Sequence, residues 1–202
     1  MRPFLAVILL LAPAMASADL MREVPRADRA KLEDGQTVVR STDVPGAPWP
    51  KLSLYRVVNA PPSVVAELFT DYDAAPDYTP GMLNAEVLTT NPDGTKDVRY
   101  TVKMPVIQKT SYVVRNTYEK EGENFTVSWK LLKSPIAKAS EGSLRIEPFG
   151  DDRTILCYSN FLVPVTNLVA GLKGQALTEA KNTVLALASE SERRANKLAA
   201  GR

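Results

Sequence analysis

Between Lys96 and Leu132 apolar and polar positions alternate with a period of two. Val98, Tyr100, Val102 and Met104 share one parity, and Arg99, Thr101 and Lys103 share the other. In the same way Phe125, Val127, Trp129 and Leu131 oppose Thr126, Ser128 and Lys130. This is the signature of strands with one apolar and one wet face, which need a cover on a single side. Strand-like runs occupy residues 52–58, 84–90, 96–104, 109–118, 125–132, 144–147 and 154–163, separated by turn signals such as NPDG, EKEGEN, KSP and PFGDD. Their linkers are too short for parallel crossovers, so the seven runs are expected to form an antiparallel sheet. A further strand-like run, 36–40, precedes the loop TDVPGAPWP.

Two stretches keep a helical period instead. After Pro61-Pro62, Val64, Val65, Leu68 and Phe69 recur at helical spacing, with Pro62 suited to an early helical position. This helix is expected to end near Tyr72, and DAAPDYTPGM leaves room for one turn or a second brief helix. From Asn167 to about Leu198, Leu168, Leu172, Ala176, Ala180, Val184 and Leu187 recur at threes and fours. That segment predicts a long amphipathic helix laid over the apolar face of the sheet. Gly171, Gly174, Ala176, Ala180 and Ala186 give it a row of small side chains, which implies either a gap above a curved sheet or close contact with it.

The N-terminus sets the domain boundaries. Residues 1–18 carry Arg2, an apolar run from Phe4 to Ala12, and a small-residue stretch ending in Ala16-Ser17-Ala18. They read as a secretory signal cleaved after Ala18, the apolar run being well short of the ~20 residues a spanning helix needs. Residues 19–35 form a charged leader able to hold a short helix before Gly35, and residues 36–202 a single domain with its core at 52–198. The expected location is periplasmic, with full secretion second.

Composition removes several chemistries. The chain has no histidine, which disfavours the serine, cysteine and zinc hydrolases that lean on imidazole. Cys157 is the one cysteine, so no internal disulfide can form, and a buried strand position suits it. A formal charge of +2 with no long run of like charges argues against a nucleic-acid partner. Asp71, Asp73 and Asp77 suggest a calcium loop, but Ala75 falls where a ligand belongs and no glycine follows at the sixth place, so turn and capping roles are expected. No metal, no cofactor and no catalytic residue is assigned.

The order of elements, together with NAPPSVVAELFTDYDAAPDYTPGM (59–82), EGSLRIEP (141–148) and RTILCY (153–158), resembles the START-related superfamily, also called SRPBCC, over about residues 52–198. The resemblance implies an α+β helix-grip fold: a seven-stranded curved antiparallel sheet wrapped around a long C-terminal helix, with two short helices after the first strand. It also implies a cavity for an apolar or amphipathic molecule, closed at one end by the two short helices.

Strand parity and the helix then nominate the lining residues: Tyr100, Val102, Met104, Tyr112, Val114, Asn116, Trp129, Leu144, Leu156, Tyr158, Asn160, Leu172 and Ala176. Tyr112, Tyr158, Asn116 and Asn160 could orient a headgroup. Each position is equally readable as an ordinary core residue, and Val113 leaves the inward face of 109–118 open. The expected partner is a lipid or other hydrophobic small molecule, with transient membrane contact, carried by a monomer. The alternatives are a polyketide cyclase or aromatase, in which Arg99, Arg115 or Glu141 would serve if they point inward, and an interaction module with a collapsed cavity.

Overall fold

Antiparallel pairing runs through the whole sheet, as the short linkers require. The computed structural model describes residues 20–103, 109–166 and 172–201. Its strands are β1 (Val38–Thr42), β2 (Lys51–Val58), β3 (Met82–Thr90), β4 (Lys96–Val102), β5 (Thr110–Glu121), β6 (Asn124–Lys133), β7 (Ala137–Pro148) and β8 (Thr154–Pro164). They form one sheet of eight strands in the order β1-β2-β8-β7-β6-β5-β4-β3. The expected count of seven is therefore one short, because the run after Gly35 joins the sheet at the β2 edge, Val38 opposite Tyr55 and Thr42 opposite Lys51. The 144–147 run is the apolar centre of the much longer β7.

Two short helices, α3 (Pro62–Thr70) and α4 (Ala75–Tyr78), follow β2, and the long helix α5 (Lys173–Ala200) ends the chain. Pro61 caps α3 and Pro62 begins it, where a missing N–H costs nothing. Val65, Ala66 and Leu68 turn inward. The main core joins them to Leu54 and Val58 of β2, Phe125, Leu144, Ile146 and Leu156 from the sheet, and Ala180, Val184, Leu187 and Ala188 of α5. At Ala180 and Ala188 the small side chains thus mean close contact with neighbouring elements, not a gap. Of the sequence-assigned start of this helix, residues 167–171 lie outside the described residues, as does Met104.

The expectation of a cover on a single side fails at the β1-β2-β8 edge. Helices α1 (Leu20–Glu23) and α2 (Arg26–Glu33), both in the leader, pack on the opposite face of the sheet. Leu20, Val24 and Leu32, at 0, 1 and 0% exposure, bury against Val38, Tyr55, Val57, Ile155 and Cys157. These strands are apolar on both parities, a pattern that strict alternation elsewhere in the chain obscured. Helix α2 stops where Gly35 takes φ 72°, which lets the Gly35 and Gln36 N–H groups cap carbonyls of the last turn, Leu32 and Lys31, at 2.9 and 2.8 Å. The Glu23 carboxylate anchors the leader: Arg145 donates to both its oxygens at 2.7 and 2.6 Å, and the Tyr55 hydroxyl donates at 2.9 Å. The Leu20 N–H donates to Glu147 Oε2 at 2.9 Å.

Candidate functional site

Register places the nominated residues on the helix-facing side. One cross-strand row runs Lys96, Asn116, Trp129, Gly142, Asn160, Leu52 through β4, β5, β6, β7, β8 and β2. The next row runs Tyr118, Val127, Leu144, Tyr158, Leu54. On the other flank Val98, Val114 and Leu131 stand in register. The inward parity of β5 is therefore that of Tyr112, Val114 and Asn116. Val113, apolar and half-buried on the opposite parity, is why alternation could not decide it.

Aromatic rings line this face in two chains. Tyr72 of the loop after α3, Tyr100 and Tyr112 succeed one another at centroid separations of 6.4 and 5.6 Å. Phe69 of α3, Trp129 and Tyr158 do so at 6.2 and 5.2 Å. The indole of Trp129 lies over Gly142. A Cβ at that glycine would press against two atoms of the indole and the Ser159 carbonyl, closer than the 3.0 Å that Cβ atoms essentially never breach. The sequence reading missed Gly142, although a glycine inside a strand signals such an approach. It also missed Tyr72, which sits in a turn where strand parity has no meaning.

Burial divides the candidates. Leu144 and Leu156, both at 0% exposure, belong to the packed core and present nothing to a ligand. Val114 is buried beside them at 4%. Tyr100, Val102, Tyr112, Trp129, Tyr158, Asn160, Leu172 and Ala176 are half-buried. Asn116 is buried at 6%. Among the described residues, Asn116 Nδ2 and Asn160 Oδ1 have no hydrogen-bond partner despite being buried.

Burial sets the protonation of the tyrosines. It pushes Tyr112 up to about 12, and it raises Tyr158, with Tyr112 adding a smaller like-charge effect. It also lifts Tyr100 well above the ordinary phenol value, Tyr72 and Tyr112 contributing next. At neutral pH all three are uncharged hydroxyls.

The charged residues named for cyclase chemistry do not reach this face. Arg99 pairs with Glu86 at 2.9 Å and Arg115 with Asp97 at 2.7 Å, their side chains 46 and 45% exposed on the outer surface. Glu141 shares their outward parity and is exposed. Asp71 accepts from the Ala74 N–H at 3.3 Å and from Arg194 at 3.2 Å, which are turn and bridging roles. Among the described residues no three acids, cysteines or histidines are placed to hold a metal ion, and no helix is long and apolar enough to cross a membrane.

A curved antiparallel sheet gripping a long C-terminal helix, with two short helices after the second strand, is the helix-grip fold of START/SRPBCC proteins. A STAR-related lipid transfer protein from Xanthomonas axonopodis superposes with a TM-score of 0.66 at 17% identity, covering 77% of this chain and 93% of that one. The Zhui aromatase/cyclase from Streptomyces sp. R1128 gives 0.63 at 20% identity, with 78% and 96% covered. Human STARD10 gives 0.63 at 12% identity, with 75% and 69% covered. No family model and no curated sequence relative matches the chain. At these identities the likeness establishes the fold, which hosts both carriers and enzymes.

Proposed function

We propose that this domain binds a lipid or comparable hydrophobic small molecule in a cavity between the sheet and the first turns of α5, ahead of Ala180, and that it works outside the cytoplasm. One observation carries the reading. Tyr100, Tyr112 and Tyr158 keep accessible surface, yet the surrounding protein desolvates all three hydroxyls enough to raise their pKa values. Partial exposure of these residues together with desolvated hydroxyls supports a recessed, protein-walled space beside the rings. Half-buried Trp129, Leu172 and Ala176 add apolar wall to the same region. Burying hydrocarbon there would yield about 25 cal/mol per Å² of apolar surface.

Export rests on residues 1–18, and the class of ligand is the one that the lipid-transfer neighbours' names suggest. The cyclase alternative is weakened, since Arg99, Arg115 and Glu141 stand on the outer face and the polar groups from Asn116 to Asn160 along the inner row are neutral. The test is to express the full chain in a Gram-negative host, recover it from the periplasm, and record native mass spectra before and after delipidation. The expected result is a mature chain beginning at Asp19 with one small molecule bound, lost on delipidation. Protein that is empty in every preparation and takes up nothing from added lipid extract would overturn the carrier reading and leave an interaction module.

A further inference from the structure

Two buried polar atoms on the helix-facing side lack partners, and they stand in one row. Asn116 Nδ2 is a donor, close to the Tyr100 hydroxyl without a direct hydrogen bond to it, and Asn160 Oδ1 is an acceptor, with Trp129 and the side-chain-free Gly142 between them. A buried polar atom with no partner costs free energy; among the described residues Arg56 Nε and Ser191 Oγ share that state, but neither stands in this row, and two such atoms facing one strip of the sheet call for an occupant. The surroundings limit what that occupant can be. Between Asn116 and Asn160 the row holds no acid or base. The flanking rows contain Val98, Val114 and Leu131 on one side and Tyr118, Val127, Leu144, Tyr158 and Leu54 on the other. Lys96 closes the row one strand beyond Asn116, where its ammonium lies 5.5 Å from the centroid of the Tyr72 ring. The nearby tyrosine hydroxyls are uncharged at neutral pH.

We propose that Asn116 and Asn160 select a neutral, oxygen-bearing hydrophobic ligand whose apolar body rests against Trp129. Its oxygen accepts from Asn116 Nδ2, and a hydroxyl on the ligand donates to Asn160 Oδ1. Between the two asparagines a carboxylate or phosphate head would meet no charged side chain, the row's one cation, Lys96, lying beyond Asn116 over the Tyr72 ring, and it would lose its hydration there, which disfavours ionised lipids. An alcohol, a sterol-like or polyphenolic ring system, or another uncharged hydroxylated molecule fits the chemistry. This inference rests on the carrier reading above and names its ligand class.

The test uses a matched ring series read by energy transfer from tryptophan: pyrene, 1-pyrenemethanol and 1-pyrenecarboxylate, the last ionised at pH 7. The natural protein is expected to bind the alcohol at least as tightly as pyrene and about tenfold or more tighter than the carboxylate. The probe's single hydroxyl reaches one asparagine, so either Asn116→Leu or Asn160→Leu should weaken the alcohol about tenfold, the worth of one neutral hydrogen bond plus the stranded partner, while both leave pyrene unchanged. Unchanged pyrene binding also reports that the variant is folded, and Asn116→Ser and Asn160→Ser serve where the leucine variants do not fold. Tightest binding by the carboxylate, or an alcohol affinity indifferent to both asparagines, overturns the proposal while leaving the carrier reading in place. Failure of all three probes also overturns it, and the native mass spectra then decide whether the carrier reading falls with it.

Discussion

Gly142→Ala is the smallest change that probes the packing beneath Trp129. The new Cβ would meet two unlike obstacles. The first, the indole of Trp129, is the far part of a side chain that can swing toward α5. The second, the Ser159 carbonyl, belongs to the backbone of the neighbouring strand β8 and is held by the ladder that pairs Ser143 with Ser159 and Gly142 with Asn160. Relief at the first contact leaves the second, so the sheet must distort locally, and overpacking of this kind typically costs about 1–3 kcal/mol. For a domain of this size that corresponds to a fall in Tm of roughly 2–10 °C. Both proteins should carry Trp49→Phe, since the chain has two tryptophans and Trp129 must be the one observed. Thermal unfolding followed by Trp129 emission should show the lower Tm together with a changed emission maximum in the folded state. Adding Trp129→Leu should recover only part of the lost stability, because the Ser159 obstacle persists. An alanine variant with the Tm and Trp129 spectrum of its parent would refute the close approach, and full rescue by Trp129→Leu would refute the role of the backbone contact.

Leu20→Ala removes a side chain with no exposed surface from the leader's contact with the sheet and should cost about 2–5 kcal/mol by chemical denaturation; a change below about 0.5 kcal/mol would mean the leader does not contribute. Glu190 is held at about 2 chiefly by its hydrogen bond from Arg193, against burial that raises it. A depressed folded-state value means this contribution is complete above the unfolded value, about 4.5, and is lost as the pH falls toward 2. Glu190→Gln should therefore be less stable than its parent at pH 7, by about 1 kcal/mol once solvent screening is allowed for, and should converge with it near pH 2 in urea titrations. Arg99→Ala and Arg115→Ala should leave ligand uptake in native mass spectra unchanged, since both side chains face outward; loss of uptake in either would reopen the enzyme alternative.

Legibility followed the physics of each signal. Where one face of a strand is wet, period-two alternation specifies the inward set, and Tyr100, Trp129, Tyr158 and Asn160 emerged on the helix side as read. Where both faces are covered the same rule is silent: Tyr55 and Val57, and Ile155 and Cys157, are buried by a leader that lay outside the expected sheet. In the leader the short helix expected before Gly35 is α2, whereas α1 and the packing of the leader on the sheet were not legible, since α1 has four residues and the segment buries little more than Leu20, Val24 and Leu32. Short helices carry too few turns to show a period. On β5 Val113 and Val114 put apolar side chains on both parities, and no pattern within one strand can report the partner register that settles it.

The two faces of the sheet also divide the work between stability and binding. At β1, β2 and β8 the strands lie between the leader on one side and the C-terminal half of α5 on the other, and the largest fully buried side chains concentrate there and under α3. At β3, β4 and β5 the outer face carries exposed ion pairs in place of a second layer, Arg99 with Glu86 and Arg115 with Asp97. The inner face there holds half-buried rings, and it shares with β8 the two partnerless amide atoms, which a core selected for stability alone would have replaced with apolar groups. Stability supplied at one edge would let the rest of the sheet keep polar atoms for the proposed ligand to satisfy. The leader is thus the counterpart of the site. By fastening Glu23 to Arg145 and Leu20 to Glu147 on the far side of the strands that carry Leu144 and Tyr158, it braces the wall against which the ligand would sit.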